Sequence, residues 1–180
     1  MKNVDIVQAP DHGLSLVKTA GTSEDPFVLL DCGDLSVLVS SADILTFMPA
    51  QKMLRRNSLH SCGIIDYENN EVPVFSLSKS LKLISDFPDK LSMLVLLNYQ
   101  DNAFALGCTA IEKIEKSDMV FYPVPVSMSS RKQPFNQVAV IENRAVGLVS
   151  ADSLWQLLIR LKAVKESGTT QHQSLVRGAI

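Results

Sequence analysis

The sequence has few of the features that mark a metal-binding, disulfide-linked or membrane-spanning protein. Only three of its 180 residues are cysteines, and Cys32, Cys62 and Cys108 stand far apart in apolar segments. An odd, widely spaced set provides neither a disulfide framework nor the paired spacing of a zinc site. The longest apolar run, residues 93–97, is far too short to cross a bilayer. We therefore expect reduced thiols, no metal, no cofactor and no direct membrane insertion.

Concentrated positive charge is also missing. Seventeen basic and nineteen acidic residues leave a net charge of −2, and the basic residues are scattered along the chain. Because sustained binding to nucleic acid requires a clustered basic face, the sequence disfavours a nucleic-acid partner. The first residues are too polar for the apolar core of a secretion signal. With the cysteine pattern, this predicts a cytoplasmic protein.

Catalytic motifs are equally scarce. The sequence has no glycine-rich phosphate loop and no Gly-x-Ser-x-Gly elbow. Ser76 and Lys79 match the Ser-x-x-Lys spacing of penicillin-recognising enzymes, but the companion motifs of those enzymes are absent. His60 and Cys62 leave a metal site short of ligands. The sequence therefore predicts a protein that is not an enzyme.

What the sequence does contain is a series of hairpin signals, and residues 63–77 carry the strongest. Two short apolar runs flank a polar insert there, which is the pattern of two strands joined by a tight turn. Asn69 and Asn70 are the predicted loop residues, because asparagine tolerates positive φ. Pro73 lacks an N–H and predicts an edge strand or a strand end.

The rest of the chain predicts a mainly β protein with one helix at its C-terminal end. Ser150 is a candidate N-cap, and leucines spaced at i, i+3 and i+4 form an apolar stripe that runs to Val164. Gly168 is predicted to end the helix. The predicted segments are an N-terminal arm at 1–26, a hairpin at 27–39, a strand at 44–48, a long buried strand at 91–99, further strands at 103–115, an exposed proline-containing connection at 117–137, a third hairpin at 138–149, the helix at 150–166 and a flexible tail at 167–180.

The central hairpin resembles the signature of the CheW-like family, the scaffold proteins of bacterial chemosensory arrays. The positions that fit the family pattern are Gly63, Ile64, Val72, Pro73, Val74 and Leu77. This chain has Glu68-Asn69 where the family has an Arg-Gly pair, and Ser76 where it has aspartate. Later in the chain, Ala105 and Thr109 replace a usual glycine and aspartate. The resemblance covers roughly residues 27–161.

The resemblance implies a fold of two small five-stranded β-barrels lying side by side and a C-terminal helix. Barrel 1 is expected at about residues 27–85, barrel 2 at about 91–150 and the helix at about 150–166, so that the domain spans residues 27–166. It also implies a groove between the barrels.

The function implied by the resemblance is that of an adaptor that couples a methyl-accepting chemoreceptor to a CheA-type histidine kinase. The residues expected to bind partners are Ile44, Thr46, Phe47 and Met48 beside the groove and Glu68, Asn69 and Glu71 at the hairpin turn. An acidic residue in place of the docking arginine predicts a divergent adaptor with its own partner, as in a type IV pilus or other non-flagellar pathway. The alternative is a regulatory or ligand-binding domain that has lost array docking, with a cavity lined by Phe47, Leu106 and Trp155.

Overall fold

The computed structural model describes residues 26–54, 61–100, 102–124, 134–135 and 137–176, with side chains as far as residue 164. Within these ranges the fold is mainly β, with two sheets and one long helix, as the sequence predicts. The strands are β1 (Phe27–Asp31), β2 (Ser36–Ser40), β3 (Ile44–Pro49), β4 (Gly63–Tyr67), β5 (Asn70–Phe75), β6 (Met93–Tyr99), β7 (Asn102–Cys108), β8 (Ala110–Ile114), β9 (Val120–Pro123), β10 (Gln137–Ile141) and β11 (Arg144–Val149), and the helix is α1 (Ala151–Val176).

The two sheets contain six and five strands rather than five each, and they do not coincide with the two halves of the chain. One sheet has the order β8-β1-β2-β11-β10-β9 and the other β3-β6-β7-β5-β4. The β1–β2 hairpin therefore belongs with the C-terminal strands, because β8 pairs antiparallel with β1 and β11 pairs parallel with β2. The expected barrel boundary, between about residues 85 and 91, falls inside the five-stranded sheet. Pairing between distant strands depends on shared burial, which local patterns do not reveal.

The main hydrophobic core lies between the two sheets and the first turns of α1. Both sheets and the helix contribute buried side chains to it, among them Leu30, Val39, Val95, Phe104 and Leu158. The Trp155 ring packs over this core, with its centroid 5.4 Å from that of Phe104. β6 lies between β3 and β7, and its residues 94–97 are all fully buried, as an uninterrupted apolar run predicts. The sheets and helix are therefore joined by one core.

The central hairpin has the predicted strands, but its loop lies one residue earlier than predicted. Glu68 and Asn69 form the two-residue loop, and both have positive φ, at 52° and 63°. The same dipeptide, Glu142-Asn143, closes the β10–β11 hairpin with φ of 47° and 63°. Two consecutive positive φ angles define the tight turn whose twist matches that of paired strands. The turn geometry therefore overrides the poor preference of glutamate for this backbone region.

Pro73 does not place β5 at the edge of the sheet, which is one of the two positions that the sequence predicts for it. β5 lies between β7 and β4, and Pro73 is paired with Ile64 of β4. Counting from the closing pair of the hairpin, this is a position where no ladder hydrogen bonds form between β4 and β5. The pairing of β5 with β7 begins only at Val74. The missing N–H of the proline therefore removes no sheet hydrogen bond.

Gly63, the first residue of the family signature, lies in close contact with the backbone of Leu54. A Cβ atom at this position would lie 2.6 Å from the carbonyl oxygen of Leu54, which is closer than real Cβ atoms approach. Leu54 pairs with Ile64 through two backbone hydrogen bonds, of 2.8 and 3.0 Å. A side chain at residue 63 would separate these two segments.

The helix begins after Ser150, as predicted. The Ser150 hydroxyl oxygen accepts a hydrogen bond from the Ser153 N–H at 3.1 Å. In addition, the Asp43 carboxylate accepts one from the Ala151 N–H at 2.9 Å. These two oxygens satisfy amide groups that have no partner within the helix, and the negative charge of Asp43 suits the helix N-terminus.

The helix extends well past its predicted end at residue 166. It runs through Gly168 to Val176, so most of the predicted flexible tail is helical, while residues 177–180 lie outside the described residues. A glycine inside a helix costs only about 1 kcal/mol relative to alanine, and it ends a helix when it adopts a left-handed conformation. The last residue of the predicted apolar stripe, Val164, is 70% exposed, so the stripe is buried over only part of its length.

Two further predicted segments lie wholly or partly outside the described residues. The N-terminal arm lies outside them apart from Pro26, as does His60. The proline-containing connection is described in part, and it holds a strand that was not predicted, β9. β9 is the edge strand beside β10, and Pro123 is its last residue. Edge positions and strand ends tolerate proline, which is why Pro123 was a misleading signal for a loop.

Cys32 and Cys108 meet at the boundary between the two sheets. Their Sγ atoms are 3.5 Å apart, and both residues are buried. The hydrogen bond with Cys32 and burial raise the pKa of the Cys108 thiol well above its ordinary value, and the charge of Asp31 acts in the same direction. The folded protein therefore keeps the Cys108 proton to a higher pH than the unfolded chain does.

This difference predicts a loss of stability at alkaline pH. Above the unfolded thiol pKa of about 8.5, unfolding releases the Cys108 proton, so the free energy of unfolding falls as pH rises towards the folded pKa. In the Cys108→Ala variant that part of the fall should disappear. Urea unfolding of both proteins from about pH 7 to about pH 10 measures it. A stability difference between the two proteins that stays constant over this range would contradict the prediction.

Candidate protein-binding site

A groove runs between the two sheets along the edge strands β3 and β8. It has a volume of about 560 Å³, and we call it the strand groove. Its lining residues are Pro26, Val28, Ser41, Ile44, Leu45, Thr46, Phe47, Ile111 and Lys113. β8 is the outermost strand of one sheet and β3 of the other, so the groove lies where two sheet edges face each other. The resemblance implies a groove between two subdomains, and the strand groove lies between the edges of the two sheets.

Three of the four predicted groove residues line the strand groove, namely Ile44, Thr46 and Phe47. The side chains of β3 alternate between partly buried and exposed, and Phe47 is 44% exposed. Met48 instead packs against the second core cluster of the five-stranded sheet. Successive side chains of a strand point to opposite faces, so Phe47 and Met48 do not share one surface.

Leu45 is a groove residue that the sequence interpretation missed. It is 40% exposed, and it lines both the strand groove and a second groove beside the central hairpin. In the sequence Leu45 is part of the apolar run at residues 44–48, which does not show which of its side chains stay exposed. An irregularity in the pairing of β3 with β6, between Ile44 and Thr46, occurs at this residue.

The second groove, which we call the hairpin groove, contains the predicted acidic residues. It has a volume of about 480 Å³, and Glu68 and Glu71 line it together with Tyr67 and Trp155. Partial burial, with the hydrogen bond to Glu68 and the charge of its carboxylate, raises the pKa of the Tyr67 hydroxyl. Asn69 is at the tip of the turn and is not part of the groove lining. The hairpin groove is therefore acidic at its rim and aromatic on one wall.

The two grooves share Leu45 and so form one continuous candidate surface. Its exposed apolar side chains come from β3, its acidic ones from the β4–β5 turn and its aromatic wall from α1. Large apolar side chains exposed beside polar ones are typical of protein–protein contact surfaces.

The structure does not assemble the alternative ligand cavity. Phe47 lines the strand groove, Trp155 lines the hairpin groove, and Leu106 is buried in the main core. The Ser-x-x-Lys match is also not a catalytic pair, because Ser76 is buried and Lys79 is exposed. Residues 76–79 do not form the helical turn that this motif requires.

The described residues contain no group of three or more histidine, cysteine, aspartate or glutamate side chains that could hold a metal ion. None of the helices in the described ranges is long and apolar enough to span a membrane.

Comparison with known proteins gives one family and a related fold. The family model described as CheW-like domain matches residues 26–158. The solved structure of the scaffolding protein TtCheW from Thermoanaerobacter tengcongensis is similar, with a TM-score of 0.52 and 14% sequence identity. The match covers 71% of this chain and 89% of that one, and at this identity it shows a shared fold. No curated protein matches the chain.

Proposed function

We propose, from the premise that this chain belongs to the CheW-like domain family, that it is a non-enzymatic adaptor of a bacterial chemosensory system. In this role it couples a methyl-accepting chemoreceptor to a CheA-type histidine kinase, in the cytoplasm at membrane-associated receptor arrays. The role requires binding surfaces and no catalysis. Family membership supports the general scaffolding role, and the candidate surface supports the partner assignments that follow.

The observation that carries the proposal is the exposed apolar pair on β3. Leu45 and Phe47 are both large, both at least 40% exposed, and both in the strand groove. An amphipathic helix that enters such a groove buries apolar side chains at i, i+3, i+4 and i+7 against it. A chemoreceptor tip is a helical hairpin, so it has the shape that a groove between two sheets accommodates.

The acidic hairpin turn supports a separate contact with the kinase. Glu68, Asn69 and Glu71 lie at or beside the tip of the β4–β5 hairpin, and Glu68 and Glu71 face the hairpin groove. An acidic rim attracts a basic partner surface and repels an acidic one. We therefore propose that the regulatory domain of the kinase docks here through a basic patch. A cognate pair of this kind suits a non-flagellar pathway, such as control of type IV pili and twitching motility.

A binding titration tests both contacts. The purified protein is titrated with the chemoreceptor tip fragment and, separately, with the regulatory domain of a CheA-type kinase from the same cell. We expect both fragments to bind. Glu68→Arg should weaken binding of the kinase domain about fivefold or more and leave binding of the receptor fragment unchanged. Glu142→Arg is the matched control, because it changes the same residue type in the same turn conformation of the other hairpin.

Either of two results would contradict the proposal. The first is that neither partner binds while circular dichroism shows a folded, β-rich protein. The second is that Glu68→Arg and Glu142→Arg have the same effect on the kinase domain, which would remove the hairpin turn from the contact.

A further inference from the structure

The most voluminous of the grooves described for this protein lies away from the candidate surface. It has a volume of about 820 Å³ and shares no residue with the strand groove or the hairpin groove. One wall is the face of α1 that carries Leu157, Leu161 and Val164, and the opposite wall is the turn at residues 79–82. We call it the helix groove. Its helix wall follows the i, i+4, i+7 spacing of one helical face, over about two turns.

The charged side chains described in the helix groove all have the same sign. Among the described residues that line it, the charged side chains are the cationic ones of Lys79, Lys82 and Arg160, and none is acidic. Both lysines are exposed, and they belong to the turn at residues 79–82, which we call the lip of the groove. The chain as a whole carries a net charge of −2, so this lip differs in sign from the rest of the molecule. An apolar floor with a basic lip is complementary to an apolar segment flanked by acidic residues.

The turn that carries the two lysines is held in a fixed conformation. Leu81 has a φ of +57°, which is rare for a side chain of this size, and it packs against the main core. The Ser78 carbonyl oxygen accepts a hydrogen bond from the Leu81 N–H at 2.8 Å, and the Ser78 hydroxyl accepts one from the Lys82 N–H at 3.1 Å. The lip is therefore organised before any partner arrives, which lowers the cost of ordering it on binding.

The form of the groove indicates a helical occupant. None of the lining residues that the structure describes belongs to a strand, so these residues offer an extended peptide no strand edge to pair with. The groove is open to solvent beside α1, where Val164 is 70% exposed, whereas sites for small molecules bury most of the ligand surface. An amphipathic helix of two to three turns fits these features.

We propose that the helix groove is a docking site for an acidic amphipathic helix of a partner protein. The apolar face of that helix would lie against Leu157, Leu161 and Val164, and its flanking aspartate or glutamate residues would face Lys79 and Lys82. This site is additional to the receptor and kinase contacts proposed above, and its test uses neither of those partners.

The test uses a labelled peptide of about three helical turns, with leucine at i, i+3, i+4 and i+7 and glutamate elsewhere, in fluorescence anisotropy. The matched probe has lysine in place of every glutamate. We expect the acidic peptide to bind at least about tenfold more tightly than the basic one, with an affinity that falls as salt rises. The double variant Lys79→Glu/Lys82→Glu should bind the acidic peptide about tenfold or more weakly than the wild type.

Two further variants separate docking from folding. Val164→Glu places a negative charge in the groove, so it should weaken binding of the acidic peptide. Because Val164 is exposed, the melting temperature should not fall. Lys52→Glu is the matched surface control, because Lys52 is exposed and lines none of the three grooves, and it should change affinity less than about twofold.

Several outcomes would overturn the proposal. The first is that the protein binds the acidic and the basic peptide with equal affinity. The second is that it binds neither peptide, and the third is that the double lysine variant binds the acidic peptide as tightly as the wild type does. Binding of oleate with no binding of peptide would make the groove a lipid site. A dimer in sedimentation equilibrium that Val164→Glu abolishes would make a second copy of this chain the occupant.

Discussion

Phe47→Glu is expected to weaken binding of the chemoreceptor tip fragment by at least about thirtyfold while leaving the fold unchanged. Phe47 is 44% exposed in the strand groove, so it has aromatic surface available for a partner. Aromatic side chains at the centre of an interface commonly account for about 2–4 kcal/mol of binding, and the new carboxylate would be buried without a partner. Isothermal titration of the wild type and the variant with the same fragment measures the difference.

Ile159→Glu is the control for this prediction. Ile159 is also 44% exposed, and it is apolar, but it lines none of the three grooves. It should bind the receptor fragment as the wild type does. If Phe47→Glu and Ile159→Glu weaken binding equally, the strand groove is not the receptor site.

Phe104→Ala is expected to lower the free energy of unfolding by about 3–5 kcal/mol. Phe104 is fully buried on β7, and its ring centroid lies 5.4 Å from that of Trp155 on α1. Removing the ring leaves a cavity where the five-stranded sheet meets the helix, and the surrounding side chains can refill it only in part. For a domain of this size the melting temperature should fall by roughly 6–20 °C. Urea unfolding followed by Trp155 fluorescence measures the change directly.

Tyr122→Ala is the matched control for Phe104→Ala. Tyr122 is 37% exposed on the edge strand β9, so the loss of its ring should cost less than about 1 kcal/mol. A similar small effect of Phe104→Ala would contradict the view that the sheets and α1 share one core.

The hairpins and the helix start could be predicted from the sequence because their determinants are local. The two apolar runs of the central hairpin and its turn residues lie within fifteen residues of one another, as do Ser150 and the leucines that follow it. The hairpin loop lies one residue earlier than predicted, because residue preference alone favours asparagine over Glu68 for positive φ. The closing pair, Tyr67 with Asn70, determines the loop more strongly than the residue preference does.

The arrangement of the strands into sheets could not be predicted in the same way. β1 pairs with β8, and β2 with β11, although nothing in their local patterns indicates which distant strand each will meet. The Asp43 contact with the start of α1 also joins distant segments. These features follow from burial in the common core. The β1–β2 hairpin, which the sequence predicts in barrel 1, therefore lies in the same sheet as the C-terminal strands.

The candidate surface was predicted in part, for a similar reason. The resemblance to the CheW-like family directed attention to β3 and to the central turn, and Ile44, Phe47 and Glu68 do line grooves. Leu45 is not among the predicted residues, because the irregular pairing of β3 at this position is not visible in its apolar sequence. Met48 packs against the second core cluster because a strand alternates its side chains.

We propose that this protein acts by holding a receptor and a kinase together. The most direct test of this proposal is the autophosphorylation rate of the cognate CheA-type kinase, measured with receptor fragments and with or without the protein. We expect receptor fragments to change the rate only when the wild-type protein is present, and we expect Phe47→Glu to remove this effect and Ile159→Glu to retain it. Two results would contradict this. One is that receptor fragments change the autophosphorylation rate equally without the protein, and the other is that they change it fully when Phe47→Glu replaces the wild type.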